Sequence, residues 1–193
     1  MQKLNRSDLW SLEQYSEERP AFRAEVIAHK KPRRVAIGPH ATLCFEDALT
    51  MKYQIQEMLR VEKIFEAAEI EEELTAYNPL IPDGANWKAT FLIEYPDVEE
   101  RRRALATMGG IEDTIWVQIG DGPRVYAIAN EDMPRSEEGK AAAVHFLRFE
   151  LDGASAKAAK EGAPIRAGID HASLKREVTL DQASAESLTQ DLD

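Results

Sequence analysis

Over residues 115–129 the chain alternates, turns on Gly120-Asp121-Gly122 and alternates back, and no other run restricts its fold as strongly. Ile115, Val117 and Ile119 share one side of an extended strand, and Val125, Ala127 and Ala129 share one side after the turn. Every second side chain of a strand faces the same way, and glycine supplies the backbone freedom of a tight turn. The spacing therefore predicts an antiparallel hairpin with Ile115, Val117 and Ile119 pointing inward. A second pair of β-rich runs, 35–37 and 41–46, meets at Gly38-Pro39-His40 and predicts another hairpin. Adjacent hairpins imply antiparallel pairing and exclude a doubly wound parallel sheet.

Elsewhere the apolar period is helical. Ser7 caps a short helix through Leu9, Leu12 and Tyr15, and Pro20 fits the first turn of a second, which carries Phe22, Val26 and Ile27 and stops at Pro32. From Thr50 onward Met51, Ile55, Met58, Leu59 and Phe65 recur on one helical face, and Ile70, Leu74 and Tyr77 mark a further helix. Turn chemistry from Asn78-Pro79 to Pro82-Asp83-Gly84 ends it. Residues 87–94 alternate, with Ala89, Phe91 and Ile93 on one side, and Pro96-Asp97 opens a charged helix closed by Gly109-Gly110. Residues 130–139 read as a polar loop, 144–151 and 165–169 as strands, a short Ala/Lys stretch between them as a helix, and 181–188 as a last helix. The expected fold is α+β: a single domain over 1–193, with a mainly antiparallel sheet of about five or six strands packed with helices.

Charge and cysteine usage exclude several functions. The net charge is −11, split unevenly: residues 1–60 carry +2 and residues 61–193 carry −13. An acidic chain repels phosphate backbones, so neither nucleic acid nor an anionic membrane is the expected partner. Cys44 is the sole cysteine, which leaves no intrachain disulfide and no multi-cysteine metal site. The amino terminus lacks the apolar run of a signal peptide, and no stretch of about 18 apolar residues is present to span a bilayer. The expected location is the cytoplasm.

Few residues are candidates for chemistry. Glu62 falls inside the apolar stripe between Met58 and Phe65, where a carboxylate must be paired, protonated or metal-bound. The expectation is a buried Glu62 hydrogen-bonded to a cation; the bland alternative is a helix that kinks near Ala67 and swings Glu62 toward an arginine. His145 shares a strand face with Leu147, Phe149 and Leu151, as a satisfied core histidine or as a ligand or acid–base group. His40 sits at the hairpin turn, either tolerated there for its conformation or functional. Glu25 and His29, four apart on one helix, are a weak metal signal. Asp170 reads as a turn cap, Cys44 as a packed strand residue and Gly120-Asp121-Gly122 as a turn with no phosphate site. Lys30, Lys31, Arg33 and Arg34 read as a solvated charge run.

Val35-Ala36-Ile37-Gly38-Pro39-His40, Phe45-Glu46, Gln54-Ile55-Gln56-Glu57-Met58-Leu59-Arg60, Tyr77-Asn78-Pro79 and Gly168-Ile169-Asp170-His171 together resemble a bacterial family catalogued as domain of unknown function 3501. The resemblance spans nearly the whole chain. It carries no activity; its members are encoded near rubrerythrin-like and iron–sulfur proteins, which implies redox or peroxide-stress physiology. The chain lacks the repeated Glu-x-x-His helices of a ferritin-like di-iron bundle. The leading expectation is a soluble accessory or binding protein serving such a system through a protein partner or a second copy of itself. The rival is a metal- or haem-binding protein or enzyme using His40, His145 and Glu62.

Overall fold

The alternation becomes two antiparallel sheets whose apolar faces meet. The computed structural model describes residues 2–131 and 139–193, so most of the expected loop at 130–139 lies outside the described residues. One sheet holds β1 (Arg34–Ala36), β2 (Ala41–Glu46), β3 (Asn86–Ile93), β7 (Val144–Glu150) and β6 (Ile128–Ala129), in that spatial order. The other holds β5 (Val125–Tyr126), β4 (Ile115–Ile119), β8 (Ile165–His171) and β9 (Leu174–Thr179). The protein is α+β, with nine strands among the described residues against the five or six expected.

Register fixes which side chains form the core. Leu43 lies opposite Phe91 and Phe91 opposite His145, while Phe45, Ala89 and Leu147 form the next row. These rows meet Ile115, Val117, Ile119, Ile165, Ala167 and Ile169 of the second sheet in one apolar cluster. Burying each large aliphatic or aromatic side chain contributes about 1.5–3 kcal/mol, so this shared face dominates stability.

The predicted hairpin forms, with Trp116 opposite Tyr126 and Val117 opposite Val125, and its three isoleucine and valine positions are buried. Its return arm differs from expectation. After Ala127, whose N–H donates to the Ile115 carbonyl, Ile128 and Ala129 pair with β7 of the other sheet. The segment 125–129 thus changes sheets and makes a corner between them. β9 escaped the sequence reading because Lys175, Arg176 and Glu177 interrupt any apolar alternation; charges of this kind blunt an edge strand.

Three helices form a separate layer: α1 (Leu12–Lys30), α2 (Ala48–Glu62) and α3 (Ala67–Tyr77). Ser11 rather than Ser7 caps α1, which runs through Pro20 as one helix instead of two. Tyr15, Phe22 and Val26 anchor it, and Ile55, Leu59, Ile70 and Leu74 join α2 to α3. The amino-terminal segment is tied down by two side-chain amides. Gln56 accepts from the Trp10 N–H at 2.7 Å, and Asn78 both accepts from the Leu4 N–H and donates to the Leu4 carbonyl. The remaining helices are α4 (Val98–Leu105), α5 (Gly153–Lys160) and α6 (Gln182–Thr189). Among the described residues no helix is long and apolar enough to cross a membrane.

Candidate functional site

His145, His40 and Glu62 do not converge: among the described residues no group of three His, Cys, Asp or Glu side chains lies together in a way that would hold a metal ion. His145 is fully buried on β7. Its Nε2 faces the Ala142 carbonyl at 3.0 Å, so that nitrogen carries the proton, and Nδ1 accepts from the Asn130 amide at 3.1 Å. Glu112 stands 3.9 Å from Nδ1. Both ring nitrogens are used within the fold.

His40 is half-buried and stacks on Tyr95, with ring centroids 4.0 Å apart. Its Nδ1–H donates to the Glu94 carbonyl at 2.9 Å, which leaves the Nε2 lone pair directed elsewhere. The ring lines an open cleft with Pro39, Tyr95, Pro96 and Arg101.

Glu62 corrects the sequence reading. It is exposed, not buried, and is the last residue of α2. Lys63 takes a left-handed conformation (φ 56°) and its N–H, like that of Ile64, returns to the Leu59 carbonyl. The helix stops there, four residues before Ala67, where the alternative reading placed a kink, so Phe65 never belonged to the stripe. Met51, Ile55 and Leu59 are its buried members.

Other candidates resolve into structural partners. His29 pairs with Asp47, not Glu25. Asp170 is no turn cap: it accepts from Arg124 at 2.6 Å and from the Tyr126 hydroxyl at 2.9 Å. Within the basic run Arg33 is only 2% exposed and binds Asp191, while Arg34 pairs with Glu94. Burial pushes the Cys44 thiol up, which disfavours a thiolate.

The break after α2 creates what sequence reasoning missed. Ile64 turns inward onto Leu59 and Ile70, and its neighbour Phe65 is left outside, 68% exposed beside Val61 at 58%. Phe65 stands at the rim of a groove of about 370 Å³ lined by Leu9, Leu12, Leu59, Ile64 and Ile70, with Arg6 and Glu13 as its charged lining. The segment 62–73 carries Glu62, Glu66, Glu69, Glu71, Glu72 and Glu73 against the single cation Lys63, and α3 contains no lysine or arginine. Their mutual repulsion is felt: burial first, then Glu62 and Glu72, push the Glu73 carboxyl up. A large exposed apolar side chain beside a largely apolar groove, next to a strongly acidic helix, resembles the anatomy of an interaction surface.

The sequence profile of the family described as "Protein of unknown function (DUF3501)" matches residues 3–192. None of the curated proteins matches the chain. The crystal structure of a protein of unknown function from Burkholderia pseudomallei is 49% identical, with 100% of each chain covered and a TM-score of 0.94.

Proposed function

We propose that this chain, which belongs to the DUF3501 family, is a soluble cytoplasmic accessory protein that docks a protein partner through the corner between α2 and α3. The observation that carries this reading is Phe65, held 68% exposed at the mouth of a largely apolar groove beside the acidic segment 62–73. An aromatic anchor with a charged rim is the usual hot-spot arrangement, and the acidic rim selects a partner with basic side chains around its own apolar patch. Nucleic acid is disfavoured by the same charge. The redox or peroxide-stress setting comes from the family resemblance and its gene neighbours.

A photo-crosslinker placed at Glu66 in the native host tests the reading. The expected result is one discrete adduct, lost when Phe65→Ser is introduced, with none from a crosslinker at Lys175 on β9. An adduct between two copies would assign the surface to self-association, and no adduct at all would defeat it. Phe65→Ser should change stability by no more than about 0.5 kcal/mol, because an exposed side chain contributes little to the fold.

A second reading draws on His40, whose Nε2 makes no bond among the described residues and faces a cleft beside Tyr95. That geometry suits a single imidazole ligand to a metal or haem. Metal and haem analysis of untagged protein, repeated on His40→Ala, would carry it if bound metal disappears in the variant.

A further inference from the structure

The groove beside Phe65 takes its lining from two parts of the chain: Arg6, Leu9 and Leu12 from the amino-terminal segment, and Leu59, Ile64 and Ile70 from the α2–α3 corner. The amino-terminal part is a strap held at two points. At Trp10, the Gln56 amide accepts from the backbone N–H, Phe22 stands at right angles to the indole with centroids 4.9 Å apart, and the Lys52 ammonium lies over it at 4.0 Å. At the other point Asn78 bonds the Leu4 backbone in both directions, and the Lys3 ammonium donates to the Asn78 and Ile81 carbonyls. Between the two, residues 5–9 hydrogen-bond only to one another among the described residues. Leu9 holds that stretch to the helices, packed with Leu4 on the seam of Ile55, Leu59, Ile70 and Leu74.

We propose, resting on the docking reading above, that residues 3–9 are an internal stand-in for the partner, which docks by displacing them from the α2–α3 seam. The partner's chemistry is then that of the strap: leucine-like side chains with a basic one close by in sequence. Leu4 and Leu9 cover the apolar seam, and Arg6 lines a groove that Ile64 and Phe65 of the acidic segment 62–73 also line. No ion pair fixes Arg6 there among the described residues, so its attraction to that segment is long-range and readily exchanged for a partner's cation. Asp8 is turned back on its own turn, where it accepts from the Asn5 N–H, and Glu13 adds to the acidic side of the groove. A stretch with few bonds to the body opens far more readily than the paired strands, so displacement leaves the sheets intact. Opening uncovers more of Leu59 and Ile70 and widens the apolar area beside Phe65.

Hydrogen exchange and the Glu66 photo-crosslinker, both on the full-length chain, test this together. The Leu4 amide donates to Asn78 only while the strap is closed, and it should exchange at least about a hundredfold faster than the amides pairing β4 with β8. Leu4→Ser loosens the strap without touching the groove lining. It should speed exchange at residue 4 by a further tenfold or so and raise the yield of the partner adduct at least about threefold. Lys3→Ala removes the two carbonyl bonds of an exposed side chain and should act in the same direction. It decides the matter if Leu4→Ser also speeds exchange in β4. A residue 4 amide as slow as those of β4, or an adduct yield that stays level or falls while that amide quickens, makes the strap a fixed wall and overturns the proposal alone. No adduct from the unaltered protein or from either variant defeats the docking reading, and this proposal with it.

Discussion

Gly168 shows at one position why a family motif can be distinctive and yet carry no chemistry. It lies opposite Trp116 across the β4–β8 pairing, and a Cβ built on it would stand 2.2 Å from the indole ring and 2.9 Å from the Arg176 carbonyl. Arg124 covers Trp116 at 3.9 Å from the ring centroid and reaches on to Asp170. Gly168→Ala should therefore cost about 1–3 kcal/mol by overpacking, measured by urea denaturation; a neutral result would mean the indole has room to shift. Glu57 is a second such residue. Its carboxylate accepts from Arg19, Tyr15 and Arg60, and the Arg19 hydrogen bonds lead in holding it down to about 2, from an ordinary 4.5. A depressed carboxylate contributes stability that is present above the unfolded value and is lost as pH falls through the folded one. Between pH 4.5 and about 2 the unaltered protein should lose more stability than Glu57→Gln does; parallel acid profiles would remove Glu57 from the account. The sequence made these residues noticeable, but their roles depend on partners far along the chain, such as residue 116 for 168 and residue 19 for 57, and periodicity says nothing about such pairs.

At the scale of elements, local signals were legible where both strand faces or both helix ends announced themselves. The β4–β5 turn and the alternation of β3 followed directly from residue type. The end of α2 did not, because Lys63 adopts φ 56° without the glycine that usually marks a left-handed stop. With no such mark, Phe65 extended the apparent stripe by a turn and drew Glu62 into it. Lys63→Gly tests the observed stop: relief of the left-handed strain should raise stability by about 0.5–1 kcal/mol, whereas a helix that continued through residue 63 would be weakened by glycine. Thermal melts distinguish the two. At its other end α2 begins at Ala48, two residues earlier than residue type alone implied. Asp47 accepts from the Thr50 N–H at 2.9 Å while the Thr50 hydroxyl accepts from the Asp47 N–H at 2.9 Å. The same aspartate reaches His29 and Arg33, so one residue caps α2 and ties it to α1.

Across the whole molecule, the buried ion pair expected at Glu62 exists, but elsewhere. Arg33, read from sequence as part of a solvated run, is 2% exposed and joins three parts of the chain. It donates to the Phe45 and Glu46 carbonyls at the end of β2, to the Ser187 carbonyl in α6, and to both oxygens of Asp191. Burial pushes the Asp191 carboxyl up to about 6 although Arg33 pulls it down, so desolvation outweighs the attraction between the partners. Two results follow from that order of effects. Asp191→Ala leaves the buried guanidinium with only the longer 3.4 Å contact to Asp47 as counter-charge and should cost up to about 3–5 kcal/mol in urea denaturation. Replacing both partners with apolar residues, Arg33→Met with Asp191→Leu, removes both desolvation costs and should recover most of that loss. Asn in place of Asp191 preserves shape while removing charge, and should fall between the two. If the double variant is instead as unstable as Asp191→Ala, the Arg33 bonds to the β2 and α6 carbonyls hold the helical layer to the sheets, and the ion pair is secondary to them.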